Sequence, residues 1–121
     1  MFNNKLKGGT GEGLAVKYLE KKGYEILEKN FKTKVGEIDI VAATERCLIF
    51  VEVKARQSDE YGEPAEAVTA AKQKKISQVA SQFITKYRYF DCNVRFDIIE
   101  VRLDKKEINH IENAFDSCLR Y

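Results

Sequence analysis

Hydrophobic residues recur at helical spacing in two parts of the chain. The first stripe follows Thr10, which can cap a helix, and stops at Gly23, which can end one. The second stripe runs from Val68 to Tyr87. We therefore predict two helices with one apolar face each, formed by Leu14, Ala15, Tyr18 and Leu19 in the first and by Val68, Ala71, Ile76, Val79, Ala80, Phe83, Ile84 and Tyr87 in the second.

Segments rich in β-branched and aromatic residues predict the strands. One precedes a turn at Lys34–Gly36, two flank the polar turn at Thr44–Arg46, and one or two follow the second helix. Three consecutive strands favour an antiparallel meander, and the crossover helix allows the fourth strand to join in parallel. The prediction is an α/β fold, a mixed β-sheet flanked by helices in the order αβββαβ(β), with strands at residues 24–31, 37–43, 47–54, 93–101 and 107–111.

Length and composition restrict the class of protein. The chain has 121 residues and one proline, and it contains no repeat or linker, which predicts a single domain over residues 1–121. No run of about 18 uncharged apolar residues occurs, so a membrane-spanning helix is not expected. The first residues lack the apolar stretch of a signal peptide, and a cytoplasmic location is expected.

Cysteine and histidine offer little site chemistry. Cys47, Cys92 and Cys118 are widely spaced, which argues against a disulfide framework or zinc ribbon and favours small buried hydrophobic side chains. His110 is the only histidine, and we expect a surface or strand residue there rather than a ligand or base. Hydrolases that rely on a histidine-activated nucleophile are therefore disfavoured.

The overall charge of +2 conceals an uneven distribution. Residues 35–71 carry −5, whereas residues 1–34 carry +4, residues 72–95 carry +5 and residues 96–121 carry −2. An acidic centre between basic segments suits carboxylates that approach a polyanion through a metal ion, with lysines on its phosphates. Ordinary mixed surface charge is the alternative.

The central hairpin places charged residues on one face. A symmetric turn at Glu45–Arg46 sets Asp39 opposite Glu52 and Glu37 opposite Lys54, provided that no bulge shifts the pairing. The other face then carries only apolar side chains, those of Ile38, Ile40, Ile49, Val51 and Val53.

Two opposed carboxylates, with Cβ atoms about 5 Å apart, require compensation. Lys54 provides part of it, and Mg²⁺ provides more, because this ion takes hard oxygen ligands. A solvated polar face with plain cross-strand ion pairs explains the same residues. Glu12, at the border of the first apolar stripe, is either a further member of the site or an acidic residue that favours its helix N-terminus.

Five segments form a recognisable pattern along the chain: GEGLAxxYL (residues 11–19), GEIDIVA (36–42), LIFVEVKAR (48–56), GEPxEAV (62–68) and RFDIIEV (95–101). Together they resemble the YraN family, which is similar to the PD-(D/E)xK, restriction-endonuclease-like superfamily and its archaeal Holliday-junction resolvases. The resemblance covers the chain to about Val101, and Ile38 stands where the superfamily usually has proline. It implies a restriction-endonuclease-like core.

The resemblance also implies metal-dependent hydrolysis of phosphodiester bonds in structured or branched DNA. Mg²⁺ or Mn²⁺ would be ligated by Asp39, Glu52 and the main-chain carbonyl of Val53. Lys54 would position or deprotonate the attacking water, and Glu12 would ligate the metal through water or hold a second metal ion. A homodimer is expected by analogy. The alternatives are a non-catalytic nucleic-acid-binding or assembly protein on the same scaffold and a structural interaction module.

Further residues are candidates for substrate contact. Gln73 could reach the site from the side, a loop at residues 57–66 with Tyr61 and Gly62 could close over substrate, and Glu37 has no defined role. Phe31, Phe50, Phe83 and Phe96 fit a core better than a base-stacking platform. Basic side chains available for phosphate are those of Lys5, Lys7, Lys29, Lys32, Lys34, Lys72, Lys74, Lys75 and Arg88.

Overall fold

The computed structural model describes residues 2–57 and 68–117, and the side chains of the first helix from residue 11 onward. The predicted order of helices and strands is confirmed. The loop with Tyr61 and Gly62 and the third cysteine, Cys118, lie outside the described residues. The elements are α1 (Phe2–Lys21), β1 (Glu25–Lys32), β2 (Glu37–Ala43), β3 (Cys47–Arg56), α2 (Ala70–Tyr87), β4 (Asn93–Arg102) and β5 (Glu107–Phe115).

The five strands form one mixed sheet in the order β1-β2-β3-β4-β5. Strands β1, β2 and β3 are an antiparallel meander, β3 and β4 are parallel across the α2 crossover, and β5 pairs antiparallel with β4. This is the predicted topology. The predicted register of the β2–β3 hairpin is also correct from Ile40↔Val51 to Ala43↔Leu48.

Each face of the sheet is covered by one helix. Ala15 and Leu19 of α1 pack on one face, and the apolar stripe of α2 packs on the other. The predicted core phenylalanines are all buried on the α2 face, where Phe83 makes edge contacts with Phe31 and Phe50, and Phe96 stacks on Phe50. Burial of apolar side chains on both faces supplies most of the driving force for this three-layer arrangement.

The side-chain alternation of strand β2 is interrupted at Asp39, so that residues on either side of it point to opposite faces of the sheet. Ile38 packs in the α2-face cluster and Ile40 in the α1-face cluster, although residues two apart normally share a face. The expectation that Ile38 shares a face with Ile40 is therefore wrong. The ladder with β3 ends at Ile40↔Val51, and beyond it the N–H of Val53 donates to Asp39 Oδ2 at 2.8 Å. A side chain thus takes the place of a backbone acceptor, which allows the strand to turn.

Helix α1 begins at Phe2, so Thr10 lies inside it and does not cap its start. Gly8 and Gly9, which precede Thr10, are part of this helix, and Gly11 allows it to pack closely on the sheet. A Cβ built on Gly11 would lie 2.8 Å from the Cβ of Ala55 in β3. Gly23, at φ 92°, ends the helix as predicted.

Gly11 and Gly13 provide a matched pair of substitutions. We expect Gly11→Ala to lower the free energy of unfolding by about 1 kcal/mol, because the clash with Ala55 exceeds the gain in helix propensity. Gly13→Ala, whose new Cβ meets nothing within 4 Å, is expected to raise it by about 0.5–1 kcal/mol. Urea unfolding curves measure both values. A stabilising Gly11→Ala would contradict the close approach of α1 to β3.

Three polar residues differ from expectation. Cys47 and Cys92 are free thiols but only half-buried, because both lie near the edge of a small surface pocket that they line together. His110 lies in β5 as expected, yet its side chain is 4% exposed because it packs between the sheet and Tyr18.

Within the described residues, neither helix is apolar enough over its length to span a membrane.

Candidate functional site

A polar pocket of about 420 Å³ opens where β2 and β3 separate beneath the first turns of α2. Asp39 and Glu37 line it from β2, Glu52 and Val53 from β3, and Lys72 from α2, together with Lys75. The pocket exists because the β2–β3 ladder stops at Ile40 and the chain diverges there. The sequence-predicted acidic residues of the hairpin therefore meet at an accessible end of the sheet.

Asp39 and Glu52 form a pair of adjacent carboxyl groups, as the hairpin register predicts. Asp39 is half-buried and Glu52 is 9% exposed. Burial, and then the negative charge of Glu52, raise the pKa of Asp39 from 3.8 to about 7, although the Val53 N–H opposes the shift. A hydrogen bond to the Glu52 side chain contributes to the raised pKa of Asp39, which means that the two carboxyl groups lie close together.

Two ammonium groups contact Glu52. Lys72 Nζ lies 2.6 Å from Oε2 of Glu52, and Lys54 Nζ lies 3.5 Å from the same oxygen. Burial, and then the adjacent Lys72, lower the pKa of Lys54. The pKa of Lys72 is raised: burial alone would lower it, but the hydrogen bonds to Glu52 and Lys54 and the negative charges of Glu52 and Asp39 together outweigh that effect. Lys72 is therefore the firmly charged partner, and Lys54 is the lysine that releases its proton more readily.

Other predicted residues lie near this cluster without joining it. Glu12 accepts a hydrogen bond from Asn30 at 3.2 Å and lines a separate groove with Lys29, although its charge still contributes to the raised pKa of Asp39. The pairing of Glu37 with Lys54 lies beyond the end of the ladder, and the neighbour of Lys54 across the parallel ladder is Glu100.

Lys72 appeared in the sequence only as one of several basic residues, and its contact with Glu52 was missed. A signal was available in the topology, because a helix that crosses from β3 to parallel β4 starts above the carboxyl end of β3. Thr69 caps this helix by accepting from the N–H of Lys72, which fixes the first turn. Gln73 donates to the carbonyl of Val68 and braces the same turn.

The basic residues proposed for phosphate contact are spread over the molecule. Lys72 and Lys75 line the pocket, and Lys29 lines the groove of Glu12. Arg88 follows the last turn of α2, at the opposite end of the helix from the pocket. Lys5 and Lys7 have no described side chains. Of the proposed residues whose side chains the structure describes, Lys72 and Lys75 are the ones that line the pocket of the acidic pair.

The donor set of the pocket suits Mg²⁺ or Mn²⁺ better than zinc. Among residues 2–57 and 68–117, no three His, Cys, Asp or Glu side chains come together as a metal cage. Mg²⁺ is usually held by one or two carboxylates, with water and substrate phosphate completing its octahedral shell. Asp39 and Glu52 supply that number of carboxylates, and the open pocket leaves room for water and phosphate.

A second polar cluster lies on the α1 face, away from the pocket. Asp97 is fully buried, and its carboxylate accepts from Arg95, from the Asn113 N–H at 3.0 Å and from His110 Nε2 at 2.6 Å. Burial alone would raise the pKa of Asp97, but the hydrogen bonds from His110 and Arg95 lower it overall. His110 Nδ1 lies 3.0 Å from the hydroxyl of Tyr18, which ties β5 to α1. The cluster stabilises the packing of α1 on the sheet.

Comparison with known proteins agrees with the resemblance seen in the sequence. Residues 11–101 match the family described as "Uncharacterised protein family UPF0102". A UPF0102 protein of Clostridioides difficile is 54% identical over 94% of this chain and all of its own length. A UPF0102 protein of Caldanaerobacter subterraneus is 48% identical over 93% of this chain and 97% of its own, and one of Alkaliphilus oremlandii is 50% identical over 93% and 99%. This chain therefore belongs to the UPF0102, or YraN, family.

Proposed function

We propose that this protein is a metal-dependent endonuclease that hydrolyses phosphodiester bonds in structured or branched DNA. The observation that supports the proposal most directly is the adjacent Asp39 and Glu52 pair with Lys54 at its side, in a pocket open to solvent. A protein that only binds nucleic acid needs cationic groups on its surface, and it has no need of two carboxyl groups that repel each other.

Asp39 and Glu52, with the main-chain carbonyl of Val53, would hold Mg²⁺ or Mn²⁺. Such an ion, when bound, lowers the pKa of a coordinated water and neutralises charge on the scissile phosphate. The Val53 N–H, 2.8 Å from Asp39 Oδ2, orients the aspartate toward the pocket. Glu12 would act from the neighbouring groove, through the charge that it directs at Asp39.

Lys54 would orient the attacking water and accept its proton, because burial and the nearby Lys72 lower its pKa. Lys72 and Lys75, at the mouth of the pocket, would contact the phosphates on either side of the scissile bond. Lys72, Lys74 and Lys75, in the first turns of α2, give this side of the pocket a positive potential. The preference for branched DNA and the homodimer rest on the resemblance to junction resolvases.

The test is a cleavage assay on matched linear, flapped and four-way-junction DNA with Mg²⁺ or Mn²⁺. We expect cleavage of branched DNA that requires the metal, and a loss of about a hundredfold or more in Lys54→Ala. Lys86→Ala, which removes an exposed lysine from the last turn of α2, at the opposite end of the helix from the pocket, is the control and should retain nearly full activity. Cleavage that persists in Lys54→Ala would indicate a contaminating nuclease. DNA binding without cleavage in any metal would favour the non-catalytic binder.

A further inference from the structure

We infer that Lys72 is an exchangeable counter-ion: it occupies Glu52 in the metal-free site and moves to the substrate phosphate when a divalent cation binds. The inference rests on the proposed function, because it concerns the same two carboxylates. It assigns Lys72 a role that differs from that of Lys54, which also contacts Glu52, and from that of Lys75, which lines the same pocket.

The contacts of Glu52 support this exchange. Lys72 Nζ is 2.6 Å from Oε2, whereas Lys54 Nζ is 3.5 Å from it. A cation bound to Oε2 of Glu52 at ~2.1 Å would lie no more than about 5 Å from the Lys72 ammonium. Two positive charges at that separation repel strongly in a half-buried site. Lys72 and the metal therefore compete for Glu52.

The exposure of the two lysines indicates which of them leaves. The side chain of Lys72 is 40% exposed, and that of Lys54 is 21% exposed. Lys72 extends from the first turn of α2 at the mouth of the pocket, so its ammonium can rotate toward solvent without a change in the backbone. Lys54 projects from the centre of the sheet beside Glu100 and has less freedom to move.

The charge balance gives the exchange a consequence for substrate binding. With both carboxyl groups ionised, Asp39, Glu52, Lys54 and Lys72 have no net charge, so the metal-free cluster attracts neither a cation nor an anion over long range. Binding of a divalent cation leaves a net charge of +2 and a displaced ammonium that requires an anion. A phosphodiester supplies that anion, so metal and phosphate should each strengthen the binding of the other.

The experiment is a Mn²⁺ titration of the purified full chain at constant ionic strength, with free Mn²⁺ measured by electron paramagnetic resonance. The titration is repeated with the dinucleotide thymidylyl-(3′→5′)-thymidine, which carries one phosphodiester. In Lys72→Met we expect Mn²⁺ alone to bind about tenfold more tightly, because no ammonium has to be displaced. We also expect the dinucleotide to strengthen Mn²⁺ binding about fivefold in the wild type and much less in Lys72→Met.

Lys75→Met is the matched control, because it removes a positive charge from the same pocket and leaves the Glu52 contacts in place. It should shift Mn²⁺ affinity by less than about twofold. Equal affinities in Lys72→Met and Lys75→Met would overturn the exchange and leave the metal site itself intact. Failure of the wild type to bind Mn²⁺ any better than Asp39→Asn would instead overturn the proposed function, and the exchange with it.

Discussion

Asp39→Asn is expected to abolish metal-dependent cleavage and at the same time to stabilise the metal-free protein. The carboxylates of Asp39 and Glu52 are the pair brought together at the metal position proposed between β2 and β3. An amide carries no charge to hold a divalent cation, and loss of one such ligand should lower cleavage by about a thousandfold or more. The amide oxygen can still accept the Val53 N–H, so the local backbone should be preserved.

The stability effect follows from the raised pKa of Asp39. In the folded protein Asp39 has a pKa of about 7, against 3.8 for an ordinary aspartate. Between these two pH values the folded chain binds a proton that the unfolded chain has released, so the free energy of unfolding falls as pH rises and is lowest above pH 7. The asparagine cannot ionise. After allowance for partial exposure and for the nearby lysines, the variant should be more stable by about 1–2 kcal/mol at pH 8.

Thermal unfolding at pH 5 and pH 8, with and without Mg²⁺, measures this effect. We expect the advantage of Asp39→Asn to be small at pH 5 and to reach about 5 °C at pH 8 in the metal-free protein. Added Mg²⁺ should stabilise the wild type and leave the variant unchanged. Glu45→Gln is a suitable control, because it removes an exposed carboxylate in the hairpin turn, remote from the pocket. Identical unfolding temperatures for Asp39→Asn and wild type at pH 8 would show that burial and the charge of Glu52 do not destabilise the ionised Asp39.

The main elements of the site could be predicted from sequence because they depend on local geometry. The hairpin turn fixes the register of β2 on β3, and the register brings Asp39 to Glu52. The reversal of Ile38 could not be predicted, since regular alternation assumes an unbroken ladder and the ladder is broken by the side chain of Asp39 itself. The start of α1 was also predicted too late, because the glycine-rich segment before Thr10 is helical, and Gly11 allows the helix to approach β3 closely.

Contacts between residues that are far apart in the chain could not be predicted from the sequence. Lys72 meets Glu52 only because α2 is placed over the end of β3, and this placement depends on packing of the whole α2 stripe. Tyr18 and His110 are 92 residues apart in the chain and touch only in the folded sheet. Sequence patterns describe which face of an element is apolar, but they do not give the position of a helix along a sheet to within the length of a lysine side chain.

Asp97→Ala should cause the largest loss of stability of any single substitution considered, about 3–5 kcal/mol by urea unfolding. The carboxylate is fully buried, and its removal leaves the guanidinium of Arg95 and the ring of His110 without their shared acceptor. Glu112→Ala is the matched control, because Glu112 is a half-exposed partner of the same arginine at 3.6 Å, and it should cost less than about 1 kcal/mol.

The lowered pKa of Asp97 adds a dependence on pH that separates its charge from its shape. Its contribution is fully present above the ordinary pKa of 3.8 and is lost as pH falls through the lower value of the folded state. Asp97→Asn, which keeps the shape and removes the charge, should therefore differ most from wild type above pH 4 and converge with it in stronger acid. The Asp97 cluster lies on the α1 face of the sheet, away from the pocket. At a temperature low enough for Asp97→Asn to remain folded, this variant should therefore bind Mn²⁺ as the wild type does. A variant that is folded and yet unable to bind Mn²⁺ would show that the two clusters are coupled through β3 and β4.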